Sequence, residues 1–529
     1  MLNSVQEPAP CKMVPTVETS RRRHLTVNNI KCPAISRDAG KRGGNCMASI
    51  LDKEPKLVWK HFDEIRKIPR CSKHEEKIRK YFIEFAKSKK LEWAEDKAGN
   101  VVIRAPATKG LEKRPVVVLQ CHMDMVCEKN SDKKHDFSKD PLELVLDGDW
   151  LKANGTTLGA DNGVGCAMAL AALEDKELKH GPLEALFTVD EETGLTGAFS
   201  MEPDLVKGRL MVNLDSEEVG SVFIGCSGGG DSTLTLPVTA GPVPKGYEPL
   251  DLKVSGLKGG HSGVDIHEQR ANAIKVLVRV LNAGWAAGEF LLADIKGGNL
   301  RNAIPREAFA VIAVKADKKK GTSEKFKAMA AAILDECRNI DPGLVLDIKD
   351  SEAKEGNVLD AAQSRKLLDL LLGLPHGVQA MSLDMPGLVE TSCNLAVIGF
   401  EGKLVKVQTS SRSSIKSALA ATREKIRSIA TLAGAKVDES AGYPGWKPNL
   451  KSKLLAITKD ACKEITGKDP ALKAIHAGLE TGIVGERFPG MDMVSIGPDL
   501  NNPHSPDERV GIASVAELYR ILGAVLRKV

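Results

Sequence analysis

No stretch of about eighteen uninterrupted apolar residues occurs in this chain, so no transmembrane helix and no membrane partner are expected. The N-terminus lacks the apolar core of a secretory signal. Residues 1–46 are rich in Pro, Arg and Asn, include Arg21-Arg22-Arg23-His24, and carry eight Lys or Arg against three Asp or Glu. Serine is sparse there and acidic residues are present, which favours a disordered extension, or initiation at Met47, over a targeting peptide. The expected location is cytoplasmic, with organelle import through residues 1–46 as the alternative. No C-x-x-C pair exists among the eleven scattered cysteines, so neither a disulfide framework nor a thiolate zinc site is expected, and a reducing compartment is. Charge excess is also missing: +5 over 529 residues, much of it in the N-terminal stretch, leaves a near-neutral body and no surface for nucleic acid.

What the chain has is length and an ordinary globular balance, 42% hydrophobic against 27% charged, enough for more than one domain with ample core. Residues 56–68 place Val58, Phe62, Ile65 and Ile68 on one helical stripe that Pro69 ends, and residues 77–91 repeat the pattern with Ile78, Phe82 and Phe85. Strands are expected at 100–103 and 116–119, around Trp150, and at 185–189 and 210–214. Their alternation with helices implies a largely parallel sheet covered on both faces. Beyond Gly225 the texture changes. Alternating strands at 233–238, 252–254, 309–314, 395–398 and 405–408, with helices at 268–281, 323–337, 363–372 and 423–434, form an α+β pattern suited to an antiparallel sheet with helices on one face. The expected organisation is therefore an extension at 1–46, a discontinuous α/β domain at 47–229 and 443–529, and an inserted α+β domain at 230–442.

Chemistry-bearing residues cluster at the strand ends. His122 and Asp124 follow the buried run 116–120, two residues apart and so on one face of extended backbone. An imidazole ligand oriented by a carboxylate has this form, although His-x-Asp alone is weak. Asp161 is the only carboxylate in the glycine-studded segment 155–165, just before a helical stretch. By itself that is an ordinary helix cap. Asp190-Glu191-Glu192 follows strand 185–189, and its adjacent glutamates face opposite ways, so one can bind a metal while the other faces the water on it. Asp215 follows strand 210–214, and His504 lies in a proline-held loop, 501–506.

In that order the segments resemble the co-catalytic zinc peptidases of the aminoacylase and carboxypeptidase type, and within them the aminoacyl-histidine dipeptidase branch. The likeness extends from about Val58 to near the C-terminus and includes Gly259-Gly260-His261-Ser262-Gly263, Asn302-Ala303-Ile304-Pro305-Arg306-Glu307, Tyr443-Pro444-Gly445-Trp446 and His476-Ala477-Gly478-Leu479-Glu480. It implies His122, Asp161, Glu192, Asp215 and His504 as ligands of two Zn2+, with Co2+ or Mn2+ as alternatives, and Asp161 as the bridge. It implies Glu191 as general base, Asp124 as orienter of His122, and His261 as stabiliser of the oxyanion. Asn302, Arg412, Gly478 and Glu480 are implied to hold substrate, Arg412 as a clamp on a free carboxylate. The activity implied is hydrolysis of dipeptides, Xaa-His dipeptides among them. An N-acyl-amino-acid deacylase, a tripeptide aminopeptidase and an inactive metal-binding interaction protein are the alternatives. The inserted domain would be a lid over a small peptide, and a homodimer is one arrangement such relatives adopt.

Overall fold

The computed structural model describes residues 49–287, 290–351 and 356–529. The expectation for residues 1–46 lies outside the described residues.

Eight strands form the first sheet, in the order Glu92–Glu95, Val101–Ala105, Leu183–Thr188, Val117–His122, Leu210–Asn213, Asp492–Ser495, Ser221–Cys226, Ala471–Ile475. Its centre is parallel, from Leu183–Thr188 through to Asp492–Ser495, and antiparallel pairings flank that centre. The sheet is thus mixed, with the expected parallel strands at its middle. Period-two alternation divides the core between the faces: Val101, Ile103, Val117, Leu119, Ala185 and Phe187 join one cluster, while Val102, Val118, Leu186 and Met211 join another. Helix Ala160–Glu174, apolar all round, is buried all round from Asn162 to Leu173. Phe82, from helix Glu76–Lys89, stacks on Phe187 at 4.1 Å and ties that helix to the strand that leads into Glu191. Replacing Phe187 by Ala would cost about 3–5 kcal/mol.

The second large sheet is antiparallel throughout, in the order Val345–Asp350, Tyr247–Ser255, Ala308–Lys315, Phe290–Gly297, Val389–Glu401, Leu404–Ser413, Gly228–Pro237, Lys436–Glu439. Helices Ala273–Ala287, Lys319–Cys337, Ala361–Gly373 and Lys416–Leu432 pack on one face, where Leu277, Val280, Phe326, Leu367 and Ile426 meet Leu250, Leu252 and Val254. The other face is mixed: Asp251, Lys253, Asp294 and Lys349 lie along it beside Phe309 and Val311, and Leu291 and Ala313 form a small buried cluster there with Val358. A small sheet, Leu500–Asn501, Arg509–Gly511, Trp150–Ala153, Leu144–Asp147, sets the loop that carries His504 beside the approach to Asp161.

One expectation fails. Cys71 and Cys127 form a disulfide across a sequence separation of 56, while the six other described cysteines are free. No local spacing signals the pair, because a parallel bridge between Cys71 and Met125 brings the two segments together. The bond lies directly behind Asp124, since Ser72 is the next residue and its hydroxyl donates to Asp124 Oδ2 at 2.8 Å.

Candidate metal centre

His122 ends its strand fully enclosed, with Nδ1 3.2 Å from Asp124 Oδ1. The two-residue spacing thus does what extended backbone predicts. Asp124 does more. Besides the Ser72 hydroxyl it accepts the N–H of Glu191 at 3.1 Å and of Glu192 at 3.2 Å, so one carboxylate sets both the imidazole and the turn carrying the two glutamates. That turn is the short helix Glu191–Gly194, reached through Asp190 at φ 50° and steadied by the Thr193 and Thr196 hydroxyls, which donate to the Asp190 carboxylate at 2.5 Å.

Asp161 stands between two sets of donors. Its Oδ1 lies 2.9 Å from His122 Nε2, and that nitrogen is 3.2 Å from Asp215 Oδ1. Its Oδ2 lies 3.1 Å from His504 Nε2, which is 2.9 Å from Glu192 Oε2. His122 with Asp215 and His504 with Glu192 therefore share one carboxylate, each pair on its own oxygen. The backbone makes this facing possible: Gly159 is left-handed at φ 64°, and Asp161 and Asn162 depart from helical angles although the helix runs on behind them. The glycines here make room for a side chain. A Cβ on Gly159 would stand 2.5 Å from Arg70 Nη2 and 2.7 Å from Met125 Sδ, and one on Gly163 would stand 2.6 Å from the same guanidinium. They admit Arg70.

Electrostatics favours cations at this place. Burial alone would lower the His122 imidazole, but Asp215, Asp124 and Asp161 around it hold it well above the ordinary histidine value. Hydrogen bonding to Asp161 and then Glu192 pushes His504 up to about 11. Burial, with Asp215, Glu480 and Glu192 nearby, raises the Glu191 carboxyl well above its usual range. Glu192 Oε1 is buried with no hydrogen-bond partner among the described residues. Three carboxylates on two imidazoles, with one carboxylate shared and one oxygen orphaned, make a donor set suited to two divalent ions that accept nitrogen and oxygen ligands.

Residues 118–528 match peptidase family M20/M25/M40. This chain belongs to that family. It is 42% identical over 483 residues to the cytosol non-specific dipeptidase of Escherichia coli, covering 91% of this chain and 99% of the relative. The crystal structure of aminoacylhistidine dipeptidase from Vibrio alginolyticus is also 42% identical, superposes with a TM-score of 0.87, and covers 91% of this chain and 98% of that one. Aminopeptidase PepT from Bacillus cereus, 16% identical at a TM-score of 0.52 over 90% of this chain and 99% of its own, shares the fold.

Four further expected site residues of this M20 chain, His261, Asn302, Arg412 and Gly478, lie in a second cluster. Strand pairing of His261 with Ala303 sets the His261 turn beside Asn302, whose carbonyl accepts the Ser262 N–H at 2.8 Å. His261 Nδ1 accepts the N–H groups of Gly263 at 3.3 Å and Val264 at 3.0 Å. The ring proton of the neutral form therefore sits on Nε2, the nitrogen left free to donate. Burial and then Arg412 lower this imidazole, which keeps it neutral. Arg412 donates from Nη1 to the Tyr443 hydroxyl at 3.0 Å, and Gly478 packs so closely on the Tyr443 ring that a Cβ would stand 2.8 Å from it. Asn302 is exposed, and its amide has no hydrogen bond among the described residues. No hydrogen bond or ion pair among the described residues joins His261, Asn302 or Arg412 to the carboxylate centre.

Glu480 is placed elsewhere again. It is 0% exposed, beneath His122, and its Oε2 accepts from Gln120 Nε2 and the Thr188 hydroxyl, both at 2.6 Å. Gln120 Oε1 accepts from Asn213 Nδ2 at 2.5 Å, and Asn213 Oδ1 accepts from the Ser495 hydroxyl at 2.5 Å and the Asp215 N–H at 3.3 Å. A polar layer thus crosses four neighbouring strands just under the centre. Glu480 belongs to this layer and not to an exposed pocket wall, and burial pushes its carboxyl up to about 8. The sequence gives little sign of the layer, since each member sits singly within an apolar strand.

Proposed function

We propose that this chain is a metal-dependent dipeptidase that hydrolyses unblocked dipeptides, Xaa-His dipeptides among them, at a centre for two zinc ions. The E. coli relative is named a non-specific dipeptidase and the Vibrio one an aminoacylhistidine dipeptidase. The observation that carries the reading is the division of Asp161, one oxygen toward His122 and Asp215, the other toward His504 and Glu192. When bound, the two ions supply Lewis acidity for the scissile carbonyl and lower the pKa of a water.

The chain's own residues do the rest. Glu191 has no hydrogen-bond partner for its carboxylate among the described residues, so it is free to take a proton from the attacking water and pass it to the leaving amine. Asp124 holds His122 and the glutamate turn in register. His261 offers Nε2–H to the developing oxyanion, and Asn302 an amide beside it. Arg412 clamps the free carboxylate against Tyr443. These lid groups act once the inserted domain, placed at 230–442 between the two catalytic stretches 47–229 and 443–529, closes over substrate. The cytosol is the proposed setting, as in the name of the E. coli relative.

Purified protein should release free amino acids from a dipeptide panel, should lose that activity on chelation, and should regain it with Zn2+. Faster release from N-acylated amino acids would make it a deacylase, and preference for tripeptides an aminopeptidase. Either outcome overturns the dipeptidase reading.

A further inference from the structure

Asp161 can serve two sites only if its backbone is held, and its own neighbours do not hold it. A left-handed glycine precedes it, and non-helical Asn162 follows. The support comes from a residue almost 350 positions away. Glu508, 1% exposed, turns its carboxylate onto four consecutive peptide N–H groups. Oε2 accepts from Leu158 at 2.8 Å and Gly159 at 2.9 Å, and Oε1 accepts from Ala160 at 2.7 Å and from Asp161 itself at 3.2 Å. On the other side of the same turn Arg70, 2% exposed, donates to the carbonyl of Gly159 and to those of Asp124 at 2.6 Å and Met123 at 3.2 Å.

We propose that Glu508 is a positioning residue for the metal centre, fixing the bridging carboxylate against the counter-grip of Arg70. The Gly159 residue is held at both its peptide groups, its N–H by an anion from the C-terminal loop and its C=O by a cation from the N-terminal one. Glu508 is four residues beyond His504, and Arg70 reaches the strand end that bears His122 and Asp124. The two buried ions therefore lock together the three segments that supply Asp161, His504 and His122, with no ligand needed to hold them. Burying a carboxylate and a guanidinium is costly, and the cost is met by peptide groups and not by pairing the two charges with each other. That arrangement leaves both charges free to orient backbone. A glutamine cannot replace Glu508. It offers one acceptor oxygen where two are used, and its NH2 would face peptide N–H donors.

This inference rests on the two-ion reading of the centre. Its test separates the two. Full-length wild type, Glu508→Gln and Glu508→Asp are stripped with chelator and titrated with Zn2+ against a chromophoric chelator, and melting is followed in metal-free and zinc-loaded protein. Wild type should bind two equivalents. Glu508→Gln should bind zinc about 10- to 100-fold more weakly, the range for loss of a group that orients a ligand, with Glu508→Asp in between. The rise in melting temperature on zinc loading should shrink in the same order. A merely structural residue would lower the metal-free and loaded melting points together and leave affinity alone, and that result overturns the proposal. If Glu508→Gln does not fold, Arg70→Lys, which keeps the charge and loses the fork, is read the same way, and native zinc affinity there overturns it. Fewer than two equivalents in wild type would sink the two-ion reading, whereas the affinity ratio judges Glu508 whatever the stoichiometry.

Discussion

The carboxylate centre contains two histidines, and two others, His261 and His476, stand near Arg412; the protein treats the two pairs in opposite ways. Around His122 and His504, aspartates and glutamates raise the imidazoles. In the pair near Arg412, burial and then the guanidinium lower His261, and they lower His476 to about 3. One pole is built to attract cations, the other to remain neutral beside a guanidinium that is free to meet an anion. A dipeptide has the matching polarity, with a carbonyl to be polarised and a terminal carboxylate to be clamped. Neither pole alone defines a dipeptidase. In the proposed mechanism the first carries the hydrolysis and the second measures the length of the substrate.

The largest test of this contrast removes the bridge. Asp161→Ala should lose both metal equivalents and all measurable turnover, whereas Glu192→Ala should lose mainly the ion shared with His504. Elemental analysis decides, and two full equivalents in Asp161→Ala would remove the bridge from the mechanism. Smaller, and divided between the poles, are the effects of Glu191→Gln and Arg412→Ala. The first should keep its metals and lose at least about 100-fold in kcat, the low end for a general base. The second should mainly raise KM for free dipeptides, by about tenfold or more, with a smaller loss on C-terminally amidated ones. Equal losses on both substrates would show that the guanidinium anchors something else.

The smallest effect concerns pH and stability. Burial and then Arg412 bring His476 from 6.5 to about 3, with Nε2 2.7 Å from the Ser392 hydroxyl. A histidine lowered in the folded state is protonated first in the unfolded one. Its full contribution to stability is therefore present above the unfolded value of 6.5 and is lost as pH falls through the window down to about 3. Each pH unit inside that window should cost about 1.4 kcal/mol from this group. Urea unfolding at pH 7, 6 and 5 should show a steeper decline in wild type than in His476→Gln, and parallel declines would assign the pH dependence to other groups.

Three of the proposed ligands, His122, Glu192 and Asp215, were legible in the sequence because they sit at or just past strand ends, where an apolar run stops at a polar donor. Asp161, in a glycine-studded segment before a helix, and His504, in a proline-held loop, carry no such signature and were singled out by the resemblance, and the fold brings all five together. The helix around Ala273 begins later than its periodicity suggests, because Asn272 caps the N–H of Ile274 and Lys275 after a turn at 266–269. What the sequence concealed are the holders. Arg70 reads as a charge after a helix-ending proline, and Glu508 as one acid in a polar loop. Their importance lies in which distant peptide groups they meet, 53 to 89 residues away for Arg70 and almost 350 for Glu508, and no local pattern encodes that. The Cys71–Cys127 bond is hidden for the same reason. Its signal would have been two cysteines flanking Ser72 and Asp124, which is visible only once those segments are known to be neighbours.

The position of strand Asp492–Ser495 bears on how the protein is made. It lies between Leu210–Asn213 and Ser221–Cys226, near the middle of the first sheet, yet in the chain it follows both only after the whole insertion. At the usual pace of translation, tens of seconds separate the emergence of Asn213 from that of Asp492. Throughout that interval the nascent sheet carries an open slot with unpaired backbone on both sides, a template for pairing with other chains. The antiparallel sheet of the insertion has no such gap and can form before residues 492–495 emerge. The insertion is then a passenger that folds ahead of its host, and the two halves of the host wait on Asp492–Ser495 before their sheet closes.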